Sequence, residues 1–277
     1  MHRSNFSTIL LLITVASMGS WSVRRAHAAD VLVGLDVSAA QQVALNQIDH
    51  SAWDGLLNKY VDPAGMVQYS AWKSSAADIQ ALDGYLESLS RSNSQGTHEE
   101  QLAFWINAYN AVTIKGILRE YPTSSIRNHT ARFFGYNIWK NLKLIVAGQP
   151  ISLDDMEHKI LRKMDEPRIH FAIVCASIGC PRLLNEAYTP ERVDEQLTQN
   201  ARHFFADANK FRYDAERNTF LLSPILDWFG KDFGSTQAAQ LKRIAAWLPD
   251  GQAQQTAAAG SGKMTFLDYD WALNDKK

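Results

Sequence analysis

The chain is short of several things, and each shortage narrows its chemistry. It has two cysteines in 277 residues, Cys175 and Cys180. The four residues between them do not match the C-x-x-C spacing of common zinc sites. Lysines and arginines are scattered and the net charge is −1, so there is no electrostatic case for nucleic acid or an anionic membrane as partner. Beyond the N-terminus no segment is apolar enough to span a bilayer. There is no phosphate loop: Gly262-Lys263 resembles the end of one, but position 257 is alanine. No internal repeat is present.

What remains is a globular composition, 46% hydrophobic and 21% charged, long enough for one large domain or two small ones. The N-terminus reads as a secretory signal peptide over residues 1–28. His2 and Arg3 precede the apolar run Ile9 to Met18, and Ala26-His27-Ala28 is a small-x-small cleavage pattern. The apolar run is shorter than the ~20 residues of a spanning helix, so cleavage is expected rather than anchoring. The mature protein is then periplasmic or secreted, without a transmembrane segment, in a compartment where disulfides form.

Residues 29–50 form a polar, alanine-rich lead-in and 51–275 a single domain. Helices are expected at Ser51–Tyr60, Ala77–Leu89 and Glu99–Glu120, with a short strand at Met66–Tyr69. The third helix is apolar on nearly every side, which predicts burial at the centre. Asn107 and Asn110, three apart on one of its faces, must be hydrogen-bonded there. They either tie neighbouring loops to the core, or orient a catalytic group or donate to an oxyanion. Arg127–Lys140 is irregular and aromatic, with a glycosylation sequon at Asn128-His129-Thr130. A strand is expected at Leu142–Val146.

Ser152–Met164 reads as a helix capped by Ser152. Its wheel places Glu157 on the apolar face and His158 at the edge. A carboxylate facing a core needs a partner or an added proton. Either Glu157 pairs with an arginine such as Arg127 or Arg168, or Glu157 or His158 serves as base or orienter. Ile169–Cys175 is a continuous apolar run that predicts a buried strand, with His170 and Cys175 on opposite faces. The segment 168–183, RIHFAIVCASIGCPRL, thus holds both cysteines and a histidine where a strand would leave the core. Further on, Thr189-Pro190 opens a helix to about Phe205 and Phe211–Tyr213 pairs with Thr219–Leu222 as a hairpin. Leu226–Phe233 and Gln237–Trp247 look helical, 250–262 is a linker, and Phe266–Trp271 is a terminal strand. His98 and His203 read as surface or helix-packing residues. Trp105, Trp139, Trp228 and Trp271 could line a cleft, with core packing the default.

Five ordered segments carry a resemblance: FWINAYNAVTIKGIL (104–118), ISLDDMEHKIL (151–161), HFAIVCASIGCPRL (170–183), ILDWFGKDF (225–233) and FLDYDWALN (266–274). Together they resemble the domain of unknown function 547 family, over about residues 51–275. The resemblance implies an α+β fold, a single mixed domain with a buried central helix packed on a sheet, similar to the papain and transglutaminase class. Its polar motif positions are Asn107, Asn110, Glu157, His158, His170, Cys175 and Cys180.

Three functions follow. A thiol hydrolase or acyltransferase acting on peptide or amide bonds would use Cys175 as nucleophile. His158 would activate it, Glu157 would orient the imidazole, and Asn107 or a backbone N–H would hold the oxyanion. Asn110, His170 and Cys180 would bind, Cys180 being also the alternative nucleophile. A ligand-binding or scaffold domain would instead join Cys175 to Cys180, and a switchable disulfide would combine the two ideas. A metal site from His170, Cys175, Cys180 and His158 is disfavoured by spacing and by the direction of His170. No cofactor or metal is expected, and the partner is an unidentified small molecule or peptide.

Overall fold

The structure is a computed structural model describing residues 30–131 and 135–277. The expected signal peptide lies outside the described residues, as does the middle of the aromatic stretch Arg127–Lys140. The described residues open on a short strand, β1 (Val31–Val33), followed by the helices α1 (Ser51–Tyr60), α2 (Tyr69–Ser74) and α3 (Ala76–Ser90). The i, i+3, i+4 spacing of Trp53, Leu56, Leu57 and Tyr60 buries one face of α1. The strand expected at Met66–Tyr69 is reduced to isolated pairings of Val67 with Val61 and Asp275.

Helix α4 (His98–Glu120) is the centre of the fold, and every residue from Leu102 to Ile114 is buried. Thr97 and Glu100 close a capping box at its start. It packs against α3, against α5 (Ile138–Asn141) by way of Gly116, and against β2 (Leu142–Val146). At Gly116 a Cβ would meet Ile138 Cδ1 at 2.6 Å and Leu142 Cδ2 at 2.8 Å, so any larger residue would force these buried side chains to shift. Strand β2 turns into β3 (Gln149–Ser152) through Ala147 (φ 52°) and Gly148 (φ 74°), the paired positive φ angles of a tight hairpin. β1 runs parallel to β2 and β3 antiparallel to it, so residues read as lead-in supply a strand of this first sheet.

Ser152 caps α6 (Leu153–Asp155), but the helix does not stay regular. It widens into a π turn at Met156–Ile160 and tightens into a 3-10 turn at Leu161–Lys163. The strand expected over Ile169–Cys175 does not form either. Pro167–Phe171 is a 3-10 helix and the chain then runs irregularly to Cys175.

Helix α7 (Val193–Ala206) starts three residues after Pro190, so Thr189 is not its cap. The hairpin of β4 (Phe211–Asp214) and β5 (Thr219–Leu222) forms as expected. Two short helices follow, α8 (Ile225–Trp228) and α9 (Gly230–Phe233), then α10 (Gln237–Ile244). The expected linker contains α11 (Gln252–Ala258), and the last strand, β6 (Lys263–Phe266), ends where a strand was expected to begin. β6 joins β5 in parallel and completes a second sheet.

The fold is thus α+β, with apolar residues in two cores. One surrounds α4; the other is phenylalanine-rich, with Phe171, Phe204, Phe205, Phe211, Phe220 and Phe233 linked ring to ring. Tyr269 packs against both. Among the described residues no helix is long and apolar enough to cross a membrane.

Candidate functional site

A cavity of about 270 Å³ opens where the two cores meet. Tyr109 reaches it from α4 and Trp139 from α5. Asp154 comes from α6, Glu157 and His158 from the π turn, His170 from the 3-10 helix Pro167–Phe171, and Ile173, Cys175, Cys180 and Pro181 from the irregular stretch after it. Ile225, Trp228 and Phe229 come from α8 and its end, and Tyr269 and Trp271 from the C-terminal stretch. Each of the five segments that carried the family resemblance contributes to this one wall. Of the four tryptophans named as cleft candidates, Trp139, Trp228 and Trp271 line it, and Trp105 is core.

Cys175 and Cys180 are joined in a disulfide, with Cα atoms 6.3 Å apart. The turn between them reverses through Ala176, whose φ of 56° lies in the left-handed region that a buried alanine rarely adopts. The C-terminal stretch straps this turn. Ile178 N–H donates to Ala272 O, Gly179 N–H to Asp270 O, and Asn274 N–H to Ala176 O. A Cβ at Gly179 would sit 2.9 Å from Asp270 O, so glycine allows the strap to lie this close. The strap sets Tyr269 over the sulfurs: its hydroxyl is 3.2 Å from Cys175 Sγ and 3.1 Å from Cys180 Sγ, with Ser177 Oγ 2.9 Å from Cys175 Sγ.

Several titratable groups line the cavity beside the disulfide. Tyr109 donates to Glu157 Oε2 at 3.4 Å, a long bond. Burial holds the Glu157 carboxyl above the usual range, against the opposing pull of His158 and Arg162. The arginines expected to pair with it are occupied elsewhere. Arg168 binds Glu166 and Asp194, and Arg127 stacks on Trp271. His158 Nδ1 is 3.1 Å from Arg162 Nη1, and its Nε2 is 3.9 Å from Asp154 Oδ1. The Cys175–His158 pair is therefore not made. The π turn inserts an extra residue per turn, and the arginine four residues on takes the imidazole's side. Arg162 in turn grips Asp232, Nε to Oδ2 at 2.6 Å and Nη2 to Oδ1 at 2.8 Å. His170 Nε2 is 2.8 Å from the same Oδ2. Burial pushes His170 down to about 4, outweighing Asp232, so the ring is neutral at pH 7 and donates Nε2–H to the carboxylate. Without a regular strand, His170 and Cys175 do not face apart; both line the cavity.

Residues 93–205 match the family model described as "Protein of unknown function, DUF547". This part of the chain belongs to that family. No curated protein and no solved structure matches the chain. The DUF547 stretch contains Asn107, Asn110, Glu157, His158, His170 and both cysteines, and stops short of Trp228, Phe229, Tyr269 and Trp271, which complete the wall.

Within the DUF547 stretch the two asparagines of α4 do structural work. Asn107 donates to Tyr188 O at 2.8 Å and accepts from Tyr188 N–H at 3.0 Å; it is not among the residues lining the cavity. Asn110 donates to Ala172 O and accepts from Val174 N–H, both at 3.0 Å. Asn200 of α7 donates to Phe171 O at 2.9 Å. These amides supply the hydrogen bonds a sheet neighbour would give, which is how an apolar run stays buried without being a strand. Sequence reading missed Tyr109, Arg162, Asp232 and Tyr269. Tyr109, Asp232 and Tyr269 lie inside segments quoted for the resemblance, and Arg162 stands four residues after His158, the spacing of neighbours on a helix face. Among the described residues no group of three or more His, Cys, Asp and Glu is arranged to hold a metal ion.

Proposed function

We propose that this protein is a binding domain that takes a small molecule or a peptide side chain into the cavity, with the closed Cys175–Cys180 disulfide as part of the wall. The observation that carries this reading is the convergence of five separate segments on one cavity, each giving at least one residue that lines it. The cavity wall is mostly apolar and rich in aromatic rings, with the polar groups Asp154, Glu157, His158 and His170 set among them, the usual make-up of a small-molecule site. The test is a fragment titration of the oxidised protein followed by tryptophan fluorescence, with Trp228→Ala as control. A saturable change lost in the variant supports the reading. Fragments that bind the variant as well as the parent refute it.

A thiol enzyme acting on peptide or amide bonds is the second reading, favoured by one feature. The hydroxyls of Ser177 and Tyr269 close on Cys175 Sγ, where they would donate to a thiolate once the disulfide is opened. Against it, His158 is engaged with Arg162 and His170 with Asp232. Alkylation kinetics of the reduced protein decide it. A Cys175 thiol that reacts fast below neutral pH sustains an enzyme; one that titrates near the ordinary ~8.5 does not. We also propose export through residues 1–28, which the mass of the mature N-terminus checks.

A further inference from the structure

We infer that the cavity selects a small organic cation, an alkylammonium group of the size carried by choline or by a lysine side chain. This rests on the binding reading above and names its ligand. The first argument is charge. Asp154 and Glu157 line the cavity, and no lysine or arginine does. Two guanidiniums lie against lining rings and are already engaged: Arg162 is held bidentate by Asp232 over Phe229, and Arg127 stacks on Trp271; His170 is spent as a donor to Asp232. The second is the walls. Trp228, Tyr269 and Trp271 pack on one another with centroids 4.5–5.8 Å apart, and Trp228 remains 47% exposed. Aromatic faces attract cations through their quadrupole, most strongly where water is excluded.

The third argument is Glu157 itself. It is mostly buried, has one long hydrogen bond from Tyr109, and makes no salt bridge among the described residues. A buried carboxyl without a counter-ion is costly, and a cation entering beside it removes that cost. The groups around it are Tyr109 from α4, Asp154, His158 and Arg162 from its own segment, and Tyr269 from the strap. None is an unengaged fixed cation. Size and polarity fit as well. About 270 Å³ suits one side-chain-sized group. A sugar would need donors around its ring, whereas the Tyr109, Tyr269 and His170 donors are already committed.

The experiment titrates the oxidised full chain, by calorimetry and tryptophan fluorescence, with choline, Nα-acetyl-lysine amide and the neutral isostere 3,3-dimethylbutan-1-ol. It is repeated on Glu157→Gln, with Asp154→Asn as a second variant and thermal unfolding as the check on folding. The expected result is that one or both cations bind about tenfold or more tighter than the isostere, and that E157Q loses most of that margin while staying folded. Choline above the lysine amide indicates a quaternary ammonium ligand, and the reverse a lysyl side chain. An isostere that binds as well as the cations overturns the cation inference and leaves the binding reading standing. Absence of binding by all three overturns both. Should E157Q fail to fold, an unchanged cation margin in D154N, together with affinity that does not rise with pH as Glu157 ionises, also overturns it.

Discussion

Two polar pairs, one beside the cavity and one lining it, behave in opposite ways. Asn107 and Asn110, on α4, each bind one backbone N–H and one backbone C=O of a neighbouring loop. Glu157 and His158, on the π turn, are left with one long bond from a tyrosine and, for the histidine, contacts to Arg162 and Asp154. The first pair is saturated by the fold and has little left to offer a ligand. In the second, His158 is exposed, while Glu157 is largely covered but under-partnered, which costs stability in the empty protein and leaves capacity facing the cavity. The difference separates polar residues that build the site from those that would use it.

The largest effect is expected on the saturated side. Asn110→Ala leaves Ala172 O and Val174 N–H buried without partners, which costs roughly 2–6 kcal/mol. Urea unfolding measures it. A loss under 1 kcal/mol would mean that the loop finds other partners and that the contrast between the pairs is false. Acid comes next. Burial pushes both His170 and His50 from 6.5 down to about 4. The folded state resists the proton that the unfolded chain accepts, so the stability is fully present above pH 6.5 and is lost as pH falls through about 4. Each histidine contributes on the order of 3 kcal/mol, to be read from unfolding free energy against pH and from a flatter profile in His50→Gln.

Reducing the disulfide should cost about 2 kcal/mol, the loop-entropy value for so short a ring. Melting with and without reductant checks it. The smallest effect has the opposite sign. Glu157→Gln removes a carboxyl that burial holds above its usual range. A raised folded-state value means its stability contribution is lost as pH rises, so the variant should be more stable than the parent at neutral pH and lose that advantage in acid. A variant less stable at pH 7 would show that Glu157 is partnered after all, and would place it with the asparagines.

Much of this was legible in the chain. The unbroken apolar wheel of residues 99–120 announced the buried helix, and the spacing of Trp53, Leu56, Leu57 and Tyr60 announced α1. Glu157 stood out because folding did not explain it. What failed was local. Ile169–Cys175 has the composition of a central strand, but Asn110 and Asn200 hold its backbone from helices, a tertiary arrangement that periodicity cannot show. The π turn moved Glu157 and His158 off the wheel drawn for a regular helix. Arg162 and Asp232 were invisible because their role depends on two residues 70 apart in the chain.

The central claim is that the site works with its two sulfurs joined. Its most direct test is the mass of the natively purified protein after alkylation without reductant. No added label is expected on Cys175 or Cys180 until reductant is supplied. A label that enters Cys175 at once, and faster below neutral pH than an ordinary thiol, would contradict it and return the protein to the thiol enzymes.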